Sequence, residues 1–459
     1  MIKVNRFVRD YFNTSDLGLI FKIALPIILS NGSLTVMHVT DRWFLSKVGQ
    51  TELAASMSGG LTSHVLISFF AGLIGYVSAL VAQYYGANQP KKCTRAIIQA
   101  FYLAFVSYPL LILFIPIIKY VFIWTNQEQE LSTYASLYAR TMLTGCIFFL
   151  MRTVVESFFI GLGKTRIILI ANAIGTLLNI PFNFVLIFGK LGLPKLGVQG
   201  AALATIFASC ISFIILFSFF LREISQVEFK TRRLLKIDGS IIKKLFSFGL
   251  PAGVEPFLNL FAFNIFLQMM HSYGTDTASA ITIAFTWDSV VYLPFVGLGM
   301  TARTIVGQNL GAGDSENAQR MTYMIMGISI AYGLVMILVF NLLTGFLSAI
   351  FASEFQGPNS NSQNISNIMI RLISLYTIAN SCKMILGNSL QAAGDTLWVM
   401  LVSISIHWAM AISVVLLVQI FKVNQYVAFS TLIVMINLDF IAKFYRYQTA
   451  KWRNINLID

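Results

Sequence analysis

Twelve apolar segments, each long enough to cross a lipid bilayer, follow one another along almost the whole chain. A membrane-spanning helix needs about 20 mostly apolar residues, and little sequence remains between the segments to build a water-soluble domain. The predicted spans are 17–45, 53–84, 94–123, 131–159, 165–189, 197–221, 241–271, 278–310, 320–350, 365–391, 396–421 and 424–445. The sequence therefore predicts an all-α integral membrane protein with twelve transmembrane helices.

Composition and charge agree with this prediction. Only 11% of the residues are charged, where a soluble domain has about 25%. If the N-terminus is cytoplasmic, the predicted outside loops hold only Lys47, Lys190, Lys195 and Lys422, and the remaining loop lysines and arginines lie inside. The positive-inside rule then places both termini in the cytoplasm and explains the net charge of +13 without nucleic acid. The charged N-terminal stretch lacks a signal-peptide pattern, and we expect a bacterial inner-membrane protein.

An internal repeat relates the two halves of the chain at an offset of 225 residues. Residues 70–95 align with 295–320 at eight identical positions, and the same offset pairs Pro26 with Pro251. The offset contains an even number of spans, so the halves keep one orientation and predict two six-helix lobes about an axis along the membrane normal. The predicted parts are an N-lobe (1–221), a basic cytoplasmic linker (222–244), and a C-lobe with a short cytoplasmic tail (245–459).

The motifs in both halves resemble those of the multidrug and toxic compound extrusion (MATE) family. They are TDRWFLSKVG (40–49), AQYYGA (82–87), GLGKT (161–165), LGVQGAALAT (196–205) and GQNLGA (307–312). The resemblance covers nearly the whole chain. It implies a V-shaped fold of two six-helix lobes, and export driven by a proton or sodium gradient.

The resemblance also implies a cation-coupling site in the N-lobe. In several prokaryotic members this site combines an aspartate of the first helix with polar groups of the fifth and sixth, which carries over to Asp41, Asn179, Asn183 and Thr205. Some members have a second aspartate where this chain has Asn183. The sodium-coupled branch places an acid in the tenth helix, whereas the tenth span here has Arg371 and Lys383 and no acid.

Asp41 also stands out without the resemblance, because an acid inside a membrane span usually faces a cavity or a partner. Residues i and i+3 share a helix face, so His38 rather than Arg42 is expected beside Asp41 as an auxiliary group. Desolvation disfavours a charged carboxylate, which suits an acid that exchanges protons. The alternative is that Asp41 merely ends the helix near the membrane interface.

Pro26 and two asparagines are the other N-lobe candidates. Pro26 removes one backbone hydrogen bond about 22 Å along the helix from Asp41, and predicts either a moving hinge or a static kink. Asn179 and Asn183 lie one turn apart on one face. Their amides either face a cation or Asp41, or hold helices together.

The remaining intramembrane charges are weaker candidates. Glu255 and Asp288 are candidates for a C-lobe proton or substrate site. In the alternative, Arg303 pairs with one of them as a structural ion pair. Glu156 lies four residues after Arg152, a spacing that favours a local salt bridge.

The sequence offers no metal, nucleotide or catalytic site. The four cysteines are widely separated and the four histidines are scattered, so neither type forms a ligand cluster. FFIGLGKT (158–165) resembles a phosphate loop but has Phe158 where that loop needs glycine. We therefore expect no cofactor, no bound nucleotide and no enzyme activity; an intramembrane enzyme would need a converging constellation of groups.

Together, the repeat, the motifs and the buried acid predict a cation-coupled antiporter, with H⁺ favoured over Na⁺. It exports amphiphilic or cationic organic compounds such as drugs, by alternating access, as a monomer in the lipid bilayer. The nearest alternative is a flippase for lipid-linked saccharides of the same superfamily. Such a protein is expected to line its cavity with arginines for phosphate charges, which keeps Arg303, Arg371 and Lys383 of interest.

Overall fold

The computed structural model describes residues 14–124, 128–230, 235–350, 361–455 and 457–458. These residues contain no β-strand, and twelve of their helices have the length and apolar composition to cross a membrane. The twelve are α1 (Thr14–Ser46), α2 (Gln50–Gly86), α3 (Pro90–Ile112), α4 (Gln129–Leu162), α5 (Thr165–Phe188), α6 (Val198–Ile224), α7 (Gly239–His271), α8 (Thr275–Gly311), α9 (Ser315–Leu342), α10 (Asn361–Ala393), α11 (Thr396–Ile420) and α12 (Gln425–Gln448). The prediction of an all-α membrane protein with twelve spans is confirmed.

The ninth predicted span, 320–350, differs from the observed helices, because α9 ends at Leu342 and a separate short helix, Thr344–Ala349, follows it. The third predicted span, 94–123, differs in the same way. α3 ends at Ile112, and a separate short helix, Ile115–Trp124, follows it. Pro116 lies in the first turn of this short helix, where its missing N–H removes no hydrogen bond. In one continuous helix the same proline would remove a bond and clash with the preceding turn, so the break is the less costly arrangement.

The described chain forms two compact units. The first contains Leu25–Phe257, and the second contains Leu258–Leu457 together with the described residues before Leu25. In the first unit, α4 packs against α2 and α6, and α6 also packs against α5; in the second, α10 packs against α8 and α12, and α12 also packs against α11. This recurring order of neighbours is what a duplicated six-helix arrangement produces. The linker 222–244 stays a prediction, and its residues 231–234 lie outside the described residues.

Helix α1 contributes to both units. Its first turn is fixed in the second unit by Asp16, whose carboxylate binds Arg320 of α9 at 2.7 Å. The unit boundary falls between Ala24 and Leu25, one residue before Pro26, and α1 nevertheless continues as one helix to Ser46. Pro26 therefore lies close to the boundary that divides α1 between the two units.

Candidate cation-coupling site

Asp41 is buried at the junction of three helices of the first unit. Its side chain, on α1, is only 3% exposed. Oδ1 accepts a hydrogen bond from Nδ2 of Asn183 on α5 at 2.5 Å, and Oδ2 accepts one from Oγ1 of Thr205 on α6 at 2.7 Å. Each carboxylate oxygen thus has one neutral donor, and each donor comes from a different helix.

The amide of Asn183 extends this network along α5. Its Nδ2 also donates to Oδ1 of Asn179 at 2.8 Å, so both of its protons are used. An ionised carboxylate only accepts hydrogen bonds, which fixes the nitrogen of Asn183 towards Asp41 and therefore the oxygen of Asn179 towards Asn183. Among the described residues, Nδ2 of Asn179 and Oδ1 of Asn183 are buried without a partner in good hydrogen-bond geometry.

Close packing of α5 and α6 brings Thr205 to the carboxylate. Gly200 lies where a Cβ atom would come within 2.6 Å of the carbonyl oxygen of Leu186, so this approach requires glycine. Ala201, Ala202 and Ala204 follow and are buried. Small residues allow helix backbones to approach closely in a membrane. The small-residue run LGVQGAALAT thus places Thr205, its last residue, within hydrogen-bond distance of Asp41.

An apolar cluster closes the site towards the C-terminal end of α1. Its core comprises Phe44, Leu45, Tyr138, Ile187, Val198, Ala201 and Ala202. Phe44 and Leu45 lie one turn after Asp41, and the rings of Phe44 and Phe188 pack edge to face with centroids 6.1 Å apart. Apolar side chains therefore surround the helix turn that follows the carboxylate.

Two residues close to Asp41 on α1, His38 and Arg42, are exposed, whereas Asp41 is buried. His38 lies one turn earlier. The hydrogen bonds to Asp41 come from Asn183 on α5 and Thr205 on α6. Arg42 is exposed as well, and among the described residues it forms no ion pair with Asp41. Within the described part of the chain, no lysine or arginine forms an ion pair with the Asp41 carboxylate.

The two acidic C-lobe candidates, Glu255 and Asp288, belong to different units. Glu255 is half-buried on α7 in the first unit, and Asp288 is half-buried on α8 in the second, near Tyr376 and Lys383 of α10. Arg303 donates to Oε1 of Gln391 on α10. This hydrogen bond of Arg303 links α8 to α10.

Two groups of charged residues contribute contacts that the sequence analysis did not assign. Asp439 of α12 is 1% exposed and binds Nζ of Lys443 at 2.9 Å and Nζ of Lys383 at 3.8 Å. The four-residue spacing of Asp439 and Lys443 was a visible signal, whereas nothing in the sequence indicates the contact from α10. The predicted Arg152–Glu156 salt bridge is present, with Nε and Oε1 3.4 Å apart, but Glu156 also binds Asn172 of α5.

The donor set suits a proton or a small hard cation better than a transition metal. Within the described ranges, no three His, Cys, Asp or Glu side chains converge as a metal site. The Asp41 network offers one carboxylate, one hydroxyl and two amides. What this arrangement can do is hold and release a single positive charge among neutral groups.

The chain matches the MatE family model twice, at residues 26–185 and 251–416. It is also similar to the probable multidrug resistance protein NorM of Pasteurella multocida, with 24% identity over 393 residues, 84% of this chain and 82% of that protein. The multidrug resistance protein MdtK of Yersinia enterocolitica is 25% identical over 396 residues, 85% of each chain. The two family matches fall in the two halves of the internal repeat.

Solved structures have the same fold. A MOP superfamily transporter from Pyrococcus furiosus aligns with a TM-score of 0.85 and 17% identity, over 95% of this chain and 96% of that one. Structures of a MATE in a bent and in a straight conformation align with TM-scores of 0.85 and 0.84 at 17% identity, over 95% and 94% of this chain and 95% of each of those chains. The chain belongs to the MatE family of multidrug and toxic compound extrusion transporters, which are membrane transporters and not enzymes.

Proposed function

We propose that this protein is a proton-coupled antiporter that exports amphiphilic, cationic organic compounds across a bacterial inner membrane, with both termini in the cytoplasm. The observation that carries the proposal is the burial of Asp41 among neutral donors from α5 and α6. The names of the NorM and MdtK relatives support drug export. The basic inside segments support the orientation.

In the proposed cycle, Asp41 takes up a proton from the outside and α1 bends near Pro26. Protonation removes the negative charge of Asp41, which weakens the charge-assisted hydrogen bonds from Asn183 and Thr205, and it converts one acceptor oxygen into a donor. Bending then contracts the space available to the compound and releases it outside, and loss of the proton to the inside resets α1. Proton and compound each weaken the other's binding by the same free energy.

The choice of H⁺ over Na⁺ rests on the donor set. Sodium, like other hard cations, is held by several oxygen ligands. Here the Asp41 site has one carboxylate, one hydroxyl and two amides, and α10 has no acidic residue, so charged oxygen ligands are few. A proton needs only the carboxylate.

The flippase alternative is less well supported. It needs cationic side chains free to bind phosphate, whereas Arg303 is bonded to Gln391 and Lys383 lies 3.8 Å from Asp439. Selective binding of an anionic lipid that depends on Arg303 would favour the flippase.

The test is compound efflux from proteoliposomes under an imposed pH gradient or an imposed sodium gradient. Asp41→Asn keeps the size of the side chain but removes proton exchange, and we expect it to abolish pH-driven efflux. The matched control is Asp314→Asn, because exposed Asp314 caps α9 through the N–H of Asn317 and asparagine caps equally well. Efflux driven by sodium alone, or full pH-driven efflux by Asp41→Asn, would contradict the proposal.

A further inference from the structure

A second polar contact joins α1 to α5, apart from the Asp41 site. Nδ2 of Asn172 on α5 donates to Oγ of Ser30 on α1 at 2.8 Å and to Oε1 of Glu156 on α4 at 2.9 Å. Asn172 is 2% exposed and Ser30 is 3% exposed. Ser30 lies one turn after Pro26. A single buried amide therefore links three helices beside the proline of α1.

The contacts between α1 and α5 follow one register. Ser30 and Asn172 are 142 positions apart, and so are Asp41 and Asn183. Between them, Thr176 donates to the backbone carbonyl of Ser33 at 3.1 Å. The α5 residues that make these contacts, together with Asn179, are spaced three or four residues apart and therefore share one face of the helix. They form a polar stripe, Asn172, Thr176, Asn179 and Asn183, along which α1 runs parallel to α5.

Glu156 determines how Asn172 is oriented. A carboxylate only accepts hydrogen bonds, so the amide nitrogen, and not the oxygen, must face Glu156. The second proton of that nitrogen then points at Ser30. Arg152, with Nε 3.4 Å from the same Oε1, compensates the charge of Glu156. The local ion pair of α4 thus orients a donor towards α1.

We infer that Asn172 is a positioning residue of the transport cycle: it holds α1 against α5 beside Pro26 and releases Ser30 when α1 bends. The inference rests on the bend in the proposed function. A bend at Pro26 displaces the helix after it, so the contacts at Ser30, Ser33 and Asp41 have to open together. Proton uptake at Asp41 acts directly on only one of these contacts. The hydrogen bond between Asn172 and Ser30 contributes separately to the stability of the unbent state.

Thiol labelling of α1 tests this inference without any ion gradient. Met37 lies between Ser33 and Asp41 on α1 and is 4% exposed. We would place the full-length Met37→Cys variant, in a background lacking the four natural cysteines, in proteoliposomes and measure its rate of reaction with N-ethylmaleimide. Labelling needs exposure of the thiol, so its rate reports how often α1 leaves α5.

Ser30→Ala and Asn172→Ala are each expected to speed labelling about threefold, the typical effect of one interhelical hydrogen bond in a membrane. Ser30→Thr restores the hydroxyl and is expected to restore the slow rate. Ser33→Ala is the matched control, because the Ser33 hydroxyl donates to Leu29 within α1 and its loss leaves the α5 contacts intact.

Equal labelling rates in Ser30→Ala, Asn172→Ala and Ser33→Ala would overturn the inference. If the cysteine-free background does not fold, hydrogen–deuterium exchange of the α1 amides in the natural chain gives the same comparison between the three variants. Failure of proton-driven efflux would overturn the proposed function but would leave the labelling rates unchanged. The two failures are therefore distinguishable.

Discussion

The side-chain nitrogen of Asn183 lies 2.5 Å from Oδ1 of Asp41, and this contact joins the buried carboxylate of α1 to the polar stripe of α5. Thr205 holds the other oxygen from α6 at 2.7 Å. Both donors are neutral, so they stabilise the ionised carboxylate without cancelling its charge. The position of α1 relative to its two neighbours thus depends on one group whose charge can change.

Thr205→Val tests the α6 donor. Valine has nearly the same shape as threonine but lacks the hydroxyl, so ionised Asp41 loses one of its two interhelical bonds. We expect about a 10- to 100-fold loss of pH-driven efflux, since a hydrogen bond to a charged group contributes about 1.5–3 kcal/mol. Thr205→Ser keeps the hydroxyl and should retain most of the activity in the same assay. Equal activity of the two variants would show that the hydroxyl has no role.

Asn183→Leu tests whether α5 stabilises the charge of Asp41. Leucine is similar in size but cannot donate, and an undercompensated buried carboxylate costs about 1–3 kcal/mol of stability. We expect a lower unfolding temperature in detergent at neutral pH. The double variant with Asp41→Asn removes the charge and should recover part of the loss. If the double variant is less stable than either single one, the loss comes from packing and not from charge.

Gly200→Ala tests the close approach of α5 and α6. A Cβ atom there would lie 2.6 Å from the Leu186 oxygen, so α6 must shift and carry Thr205 away from Asp41. Overpacking of this kind costs about 1–3 kcal/mol, and we expect both a lower unfolding temperature and reduced efflux. Gly32→Ala in α1 is the control, because a Cβ atom at Gly32 meets nothing within 4 Å. Similar losses in both variants would attribute the effect to glycine itself and not to the approach.

The sequence predicted the fold because a membrane span is a local property, readable from about 20 consecutive residues. It failed within the third span, where Pro116 breaks an apolar run that hydrophobicity alone makes continuous. The burial of Asp41 against polar partners was also predictable, since an acid inside a span usually faces a cavity or a partner; its coupling role stays a prediction. Helix spacing places His38 on the same side as Asp41, and the structure shows that His38 is exposed; its auxiliary role stays a prediction.

The polar stripe of α5 shows where sequence reasoning ends. The spacing of Asn172, Thr176, Asn179 and Asn183 is visible in the sequence and indicates one helix face. Its partner on α1 is not visible, because Ser30 resembles any small residue and lies 142 positions from Asn172. The register of two helices that are distant in sequence is fixed by packing, which no local pattern encodes.

The buried cluster of Asp439, Lys443 and Lys383 gives a prediction about stability. Asp439 accepts from Lys443 at 2.9 Å, with Lys383 at 3.8 Å, and Lys443 is 5% exposed. Asp439→Ala removes the carboxylate that both lysines share. Breaking a buried ion pair in this way lowers the free energy of unfolding by about 3–5 kcal/mol. We expect a markedly lower unfolding temperature in detergent.

The double variant Asp439→Leu with Lys443→Met is the matched comparison for this prediction. It replaces the closer pair by apolar groups of similar volume, which is often neutral for a buried ion pair, and Lys383 retains Asp288 nearby. We therefore expect the double variant to unfold at a higher temperature than Asp439→Ala, although it changes two residues instead of one. If the double variant is the less stable of the two, compensation of the lysine charges does not explain how Asp439 stabilises the protein, and the prediction is wrong.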